Sequence, residues 1–287
     1  MLDTLHRGVR RYLVMRGVEA SMVELLGHAV HHYHFRGTGR GPPVVLVHGL
    51  AGSANGFFRT LTPLGARFRE VHAFDFPGNG FSPTPAGGPL PLEALEGVLV
   101  AFCEEVVRAP AFVVGNSMGG AMVAVLASTR PDLVRALGLV SPAGAQVAPE
   151  RQEQTLKSLR VHDNRDARRL IRQLFHRAPL PALLFAGTLR KAYGAPSVQA
   201  VFSQLAEGTA SVLEPSLLAG LRMPVLLIWG GSEKLLPYEG IDYFRAHLPS
   251  QARIEVVEGF GHSPQVERPR ALVRRLVAFA DEVGLES

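Results

Sequence analysis

Ala111-Phe112-Val113-Val114-Gly115-Asn116-Ser117-Met118-Gly119-Gly120-Ala121-Met122-Val123-Ala124 runs from one apolar stretch into another through a serine set among glycines. The first stretch reads as a buried strand and the second as a helix, which leaves only a sharp turn between them. A serine in such a turn takes a cramped backbone conformation. Glycines two residues to either side are wanted because side chains there would collide with the strand and helix backbones. Ser117 is therefore expected to project from the carboxyl end of its strand as a nucleophile. The start of the following helix aims amide N–H groups at any negative charge that develops beside it.

Working outward, short Val-, Leu- and Ile-rich runs bounded by Gly and Pro recur at 42–49, 71–78, 136–142, 224–231 and 253–262. Their unbroken apolar character is that of a parallel sheet covered on both faces. Helical patterns at 90–108, 118–130, 238–247 and 268–283 supply the cover. Two more strands are expected at 21–26 and 28–35, joined at Gly27, after an amphipathic helix over 2–16. The stretch 145–221 breaks this rhythm. It is arginine-rich and helix-patterned without a convincing strand, so it is expected to form a helical cap inserted between core parts 1–144 and 222–287.

A serine hydroxyl needs an imidazole to take its proton and a carboxylate to orient that imidazole. His262, in Glu258-Gly259-Phe260-Gly261-His262-Ser263-Pro264, lies just past the last expected strand on a loop free to bend over the sheet edge. Glu233 follows the preceding strand in Trp229-Gly230-Gly231-Ser232-Glu233, with Glu255, Glu258 and Asp242 as weaker substitutes. A second anion donor is expected from Val47-His48-Gly49-Leu50-Ala51-Gly52, where the N–H of Leu50 would pair with that of Met118. His48 precedes the serine and is expected to brace its loop. Asp75, in the turn Phe74-Asp75-Phe76-Pro77-Gly78-Asn79-Gly80, is expected to fix that turn by hydrogen bonds.

Taken in order, HGLAGS, DFPGNGFS, GNSMGG, WGGSEKLLP and GFGHSPQVERP resemble the α/β-hydrolase superfamily over most of the chain. The segment from Met223 to Arg270, with Leu139-Val140-Ser141-Pro142, is similar to the monoacylglycerol-lipase and bacterial lipase/esterase branch. The GNSMGG turn is also typical of meta-cleavage-product hydrolases, which break carbon–carbon bonds in ring-cleavage products of aromatic compounds. The resemblance implies a mostly parallel eight-stranded sheet, a helical cap after strand six, and catalysis by Ser117, Glu233 and His262. Its activity would be hydrolysis of carboxylic esters with a hydrophobic acyl group. The alternatives are carbon–carbon bond hydrolysis of a vinylogous diketo acid, or a ligand-binding protein on the same scaffold. The family usually has aspartate where Glu233 stands, so the extra methylene requires the loop to retreat or the carboxylate to bend.

Composition narrows the remaining classes. The chain has 287 residues, 47% apolar and 19% charged, proportions that suit a packed core and not a disordered or fibrous chain. Its one cysteine, Cys103, cannot form an internal disulfide and points to a reducing, cytoplasmic setting. Charges interrupt every apolar run near the N-terminus, so neither a signal peptide nor a membrane anchor is expected. From Gly144 to Arg222 there are 11 Lys+Arg against 6 Asp+Glu, leaving 19 against 19 elsewhere, so the whole net charge of +5 belongs to that one segment. Nucleic acid is not the expected partner, because the cap shows no reading motif and few aromatic residues for base stacking. Leu180, Leu183, Leu184, Phe185 and Leu189 could pack within the cap, line an acyl tunnel or meet a lipid surface. His28, His31, His32 and His34 are expected on a solvent-facing strand, with His31 on the face opposite the others and no metal bound. No dinucleotide or phosphate-loop spacing is present, so no cofactor is expected.

Overall fold

A computed structural model describes residues 2–184, 186–207 and 212–285. The apolar runs become β1 (Glu19–Leu25), β2 (His28–Arg36), β3 (Val44–Val47), β4 (Glu70–Phe74), β5 (Ala111–Asn116), β6 (Val134–Val140), β7 (Val225–Gly230) and β8 (Arg253–Val257). They form one eight-stranded sheet in the order β1-β2-β4-β3-β5-β6-β7-β8. The β1·β2 and β2·β4 pairs are antiparallel and the others parallel, as expected.

The central strands β3, β5 and β7 are buried at every position, which accounts for their unbroken apolar runs. Val45, Val47 and Val113 pack with the helices Leu92–Ala101, Met118–Thr129 and Glu239–His247. Their neighbours Val44, Leu46, Phe112 and Val114 face Leu13 of the N-terminal helix and Leu272, Leu276 and Phe279 of the helix Pro269–Glu282. Each such side chain contributes about 1.5–3 kcal/mol by leaving water. Strand order reverses between β3 and β5, because the chain places β4 on one side of β3 and then crosses to the other. Connections leaving the carboxyl ends of β3 and β5 diverge there and open a crevice.

The structure departs from expectation in three places. The hairpin between β1 and β2 turns on Leu26 as well as Gly27, both at positive φ (51° and 75°), as a two-residue turn matching the strand twist requires. The helix expected over 90–108 is α-helical to Ala101, then π-helical over Phe102–Val107, and ends at Arg108 in the left-handed region. Most consequentially, β2 is not solvent-facing. It is paired on both edges, its face is covered by Phe102, and His31 and His32 are buried. Burial, reinforced by His34 and His31, pushes His32 down to about 4. Burial with His34 and His32 pushes His72 of β4 down to about 3.

Between β6 and β7 lie the helices Pro149–Leu159, Asn164–Leu174, Leu180–Leu184, Ala186–Tyr193, Pro196–Ala206 and Pro215–Ala219, with no strand among the described residues. The side chain of Asp163 caps the second by accepting from the N–H groups of Arg165 and Asp166 at 2.7 and 2.8 Å. Leu183 and Leu189 pack inside this layer, whereas Leu180 and Leu184 are 79% and 80% exposed. Phe185 lies outside the described residues. Among those residues, no helix is long and apolar enough to cross a membrane.

Candidate active site

Ser117 joins β5 to the helix Met118–Thr129 at φ 56° and ψ −122°. For a residue with a side chain that conformation costs about 1–3 kcal/mol, so its surroundings must hold it in place. Its N–H donates to Val140 O at 3.1 Å, and its carbonyl accepts from Gly120 N at 2.8 Å and Ala143 N at 3.0 Å. The flanking glycines are required by contact: a Cβ at Gly115 would stand 2.2 Å from Gly119 O, and one at Gly119 2.5 Å from Val47 O.

The loop after β3 lies directly against this turn, since a Cβ at Gly49 would be 3.0 Å from the Cβ of Ser117. His48 braces it. Its Nδ1 donates to Gly49 O at 2.9 Å and its Nε2 accepts from Phe76 N at 3.2 Å, which leaves no ring nitrogen for proton transfer. Burial, opposed by Asp75 and the Gly49 carbonyl, holds this imidazole below its usual range and therefore neutral. Asp75, fully buried, accepts from Ala54 N (2.7 Å), Phe81 N (2.9 Å) and the ring of His31 (2.8 Å), pinning the turn as expected. Among the described residues, the N–H groups of Leu50 and Met118 donate to no acceptor.

Glu233 and His262 come together from the ends of β7 and β8. Glu233 Oε2 accepts from His262 Nδ1 at 2.9 Å, with the side chains 1% and 3% exposed. The glutamate fits because its carboxylate bends back over its own loop, where Oε1 accepts from Leu235 N at 2.9 Å and Leu236 N at 3.1 Å. Burial pushes this carboxyl up. The charge and hydrogen bond of His262, with the two amides, outweigh that and hold it below the usual carboxylate range. None of the substitutes bonds His262: Glu255 pairs with Arg253 and Arg275, Asp242 pairs with Arg245, and Glu258 lies beside Gly231. Cys103 is no competing nucleophile, since burial, with a smaller contribution from Glu104, pushes its thiol up to about 12.

Ser117 Oγ and His262 form no hydrogen bond in this structure, but one side chain ties their backbones together. Asn116 Nδ2 donates to Val140 O at 3.0 Å and to His262 O at 2.9 Å, while its Oδ1 accepts from Gln265 Nε2 at 2.8 Å. Sequence reasoning missed this role of Asn116, although the residue lies inside the quoted turn. It also missed the seam beneath the helical layer. Ser263 N donates to Leu174 O (3.1 Å), His176 N to Glu267 Oε2 (2.9 Å) and Lys234 Nζ to His176 O (2.9 Å). His176 Nδ1 and Ser232 Oγ lie 2.6 Å apart, and Gly261 N donates to the other oxygen of Glu267. The end of the helix Asn164–Leu174 is thereby stitched to the loops that carry both Glu233 and His262.

Leu50 and Ala51 pack against Leu170, Tyr193, Val198 and Leu235, so apolar side chains of the helices between β6 and β7 cover the loop after β3. A separate cleft of about 460 Å³ between Arg253, Glu255, Arg274 and Arg275 lies on the β8 side of the sheet and includes none of these groups.

The alpha/beta hydrolase fold family matches residues 42–269. The dihydrolipoyllysine-residue acetyltransferase component of an acetoin cleaving system from Cupriavidus necator is 28% identical over 233 residues. That match covers 78% of this chain but only 60% of the relative, so the chain spans less than two thirds of that protein's length. Lipase 1 of Psychrobacter immobilis is 27% identical over 255 residues, covering 82% of this chain and 75% of that enzyme. The crystal structure of a bacterial membrane phospholipase A superposes with a TM-score of 0.85 at 26% identity, covering 98% of this chain and 92% of the other. The strained serine turn, the reversal of strand order beside it and the extent of the family match agree that this chain belongs to the α/β hydrolase fold family.

Proposed function

We propose that the chain is a serine hydrolase that cleaves carboxylic esters bearing a hydrophobic acyl group, through an acyl-enzyme on Ser117. The observation that carries this is the buried 2.9 Å bond from His262 Nδ1 to Glu233. With Nδ1 committed to the carboxylate, Nε2 is the nitrogen left to accept the Ser117 proton as Oγ attacks the carbonyl. The contact between serine and imidazole tightens when the substrate is engaged. Leu50 N–H and Met118 N–H stabilise the oxyanion, and the loss of one such donor costs about 3–4 kcal/mol in comparable sites. His262 then returns the proton to the departing alcohol, and water repeats the attack on the acyl-enzyme. Glu233 stabilises the imidazolium at each stage.

Residues 145–221 act as a cap in this proposal, and their apolar roof over Leu50 receives the acyl chain. Leu180 and Leu184, one helical turn apart and exposed, with Arg177, Arg190 and Lys191 near them in the chain, suit peripheral contact with an anionic lipid surface. The one buried thiol suits a cytoplasmic location.

The test offers the enzyme p-nitrophenyl butyrate, p-nitrophenyl octanoate and a ring-cleavage dienoate, with a fluorophosphonate probe as active-site label. Ester turnover and stoichiometric labelling, both abolished in Ser117→Ala, are expected. Turnover of the dienoate without ester turnover would replace this proposal with carbon–carbon bond hydrolysis. Labelling that survives in Ser117→Ala would remove the nucleophile.

A further inference from the structure

The histidines of β2 are outside the chemistry above, and the sheet brings others to them. His34 stands opposite His72 of β4 and opposite Glu19 of β1. Glu70, two residues before His72, shares its face. The His34 and His72 rings stack with centroids 4.7 Å apart and planes 12° from parallel. Donor atoms of His34, Glu70 and His72 all lie within 4.8 Å of one another.

These imidazoles are not satisfied by the chain. His34 Nδ1 lies 3.3 Å from Glu19 Oε2, so the ring can donate there and keep its lone pair on Nε2. That Nε2 is buried without a hydrogen-bond partner, and so are both ring nitrogens of His72, whose side chain is 4% exposed. Nε2 of His72 lies 3.5 Å from Glu70 Oε2 without forming a hydrogen bond. Buried polar atoms are nearly always paired, and unpaired nitrogens of adjacent rings beside a carboxylate supply the donor types of a metal site. A carboxylate behind the outer nitrogen of a ligating histidine is the usual means of orienting its ring, and Glu19 stands in that position.

We propose that His34, Glu70 and His72 form a zinc site that staples β2 to β4, with Glu19 positioning His34. Two imidazole nitrogens and one carboxylate oxygen suit Zn²⁺ with water as a fourth ligand, whereas Ca²⁺ and Mg²⁺ prefer oxygen ligands throughout. Zn–N distances of about 2.0–2.1 Å put ligand atoms about 3.3 Å apart, so binding closes the group by about 1.5 Å or less and turns the two rings out of their near-parallel stack, so that each in-plane lone pair meets the ion. The site is at the amino-terminal end of β4, whereas Ser117, Glu233 and His262 follow the carboxyl ends of their strands. The ion is therefore structural, and stabilises the fold by mass action.

The experiment is calorimetric titration of the metal-stripped protein with ZnCl₂, with thermal melts and ester hydrolysis measured alongside. The variants are His34→Ala, Glu70→Gln, Glu19→Gln and, since His72 is buried, His72→Gln as a separate case checked for folding by circular dichroism. One Zn²⁺ per chain is expected to bind and raise the melting temperature. His34→Ala and Glu70→Gln should each weaken binding at least tenfold and Glu19→Gln several-fold, with ester hydrolysis unchanged in all three. Binding that neither His34→Ala nor Glu70→Gln alters would overturn the assignment. So would the absence of any binding to the folded parent below millimolar Zn²⁺.

Discussion

His262, in the loop after β8, and His72, inside β4, are each 3% exposed, but their polar contacts differ. His262 follows a strand's carboxyl end, where loops converge. A carboxylate holds its Nδ1 and the Asn116 amide holds its carbonyl. His72 lies inside a strand, where its neighbours are the side chains directly across the ladder. Its ring meets His34 and Phe102 by stacking and edge contacts, and neither nitrogen has a partner. Burial is the same in the two places, so burial does not decide which imidazole gains a hydrogen-bond partner. What differs is reach: the loops bring Glu233 within 2.9 Å of His262 Nδ1, whereas Glu70 on the strand face stays 3.5 Å from His72 Nε2 and forms no hydrogen bond with it.

The sharpest way to break this comparison is at the carboxylate. Glu233→Gln removes the charge that orients His262 and is expected to lower kcat about a thousandfold or more, as loss of the orienting carboxylate does in related triads. Glu258→Gln should leave turnover within about twofold. Equal losses in steady-state kinetics would place the orienting group elsewhere.

A smaller effect compares a satisfied histidine with an unsatisfied one. His48→Leu leaves Gly49 O and Phe76 N–H without their partner and is expected to cost about 1–3 kcal/mol. His72→Leu in excess EDTA removes only unpaired nitrogens, so a change between about −1 and +1 kcal/mol is expected. Urea midpoints at matched m-values measure both, and similar destabilisation by the two substitutions would contradict the partner assignments.

The smallest effect is in acid. Glu233 is held below its unfolded value, so its stabilisation is complete above that value, about 4.3, and is lost as pH falls through the lower folded one. Between those two values the unfolded state binds more protons, so stability falls as pH falls. Parent protein should therefore lose stability more steeply than Glu233→Gln below about pH 4.3 in denaturant titrations. Parallel slopes would mean that the carboxylate is not held by His262.

Much of this was legible because it is local. The serine turn, its glycines and the flanking strand and helix lie within one short stretch. The glutamate and the histidine are each marked by following a strand end. Other features were out of reach for a common reason. Asn116 looks like an ordinary turn residue until β8's loop arrives beside it. Glu267 and His176 meet only because the inserted helices settle on that same loop. The histidines of β2 look solvent-facing when read along their own strand, where no carboxylate is close in sequence. Glu70 and His72 reach them through the pairing of β2 with β4.

Short-range pattern was thus enough for the strands, the serine turn and the strand-end positions of Glu233 and His262. Each depends on contacts between residues near in the chain or on strand-end geometry common to parallel sheets. Strand order, the bend of Glu233 over its own loop, the seam under the inserted helices and the meeting of His34 with His72 were decided only by the folded arrangement. They arise between segments far apart in sequence, where nothing in either segment alone encodes the distance to the other.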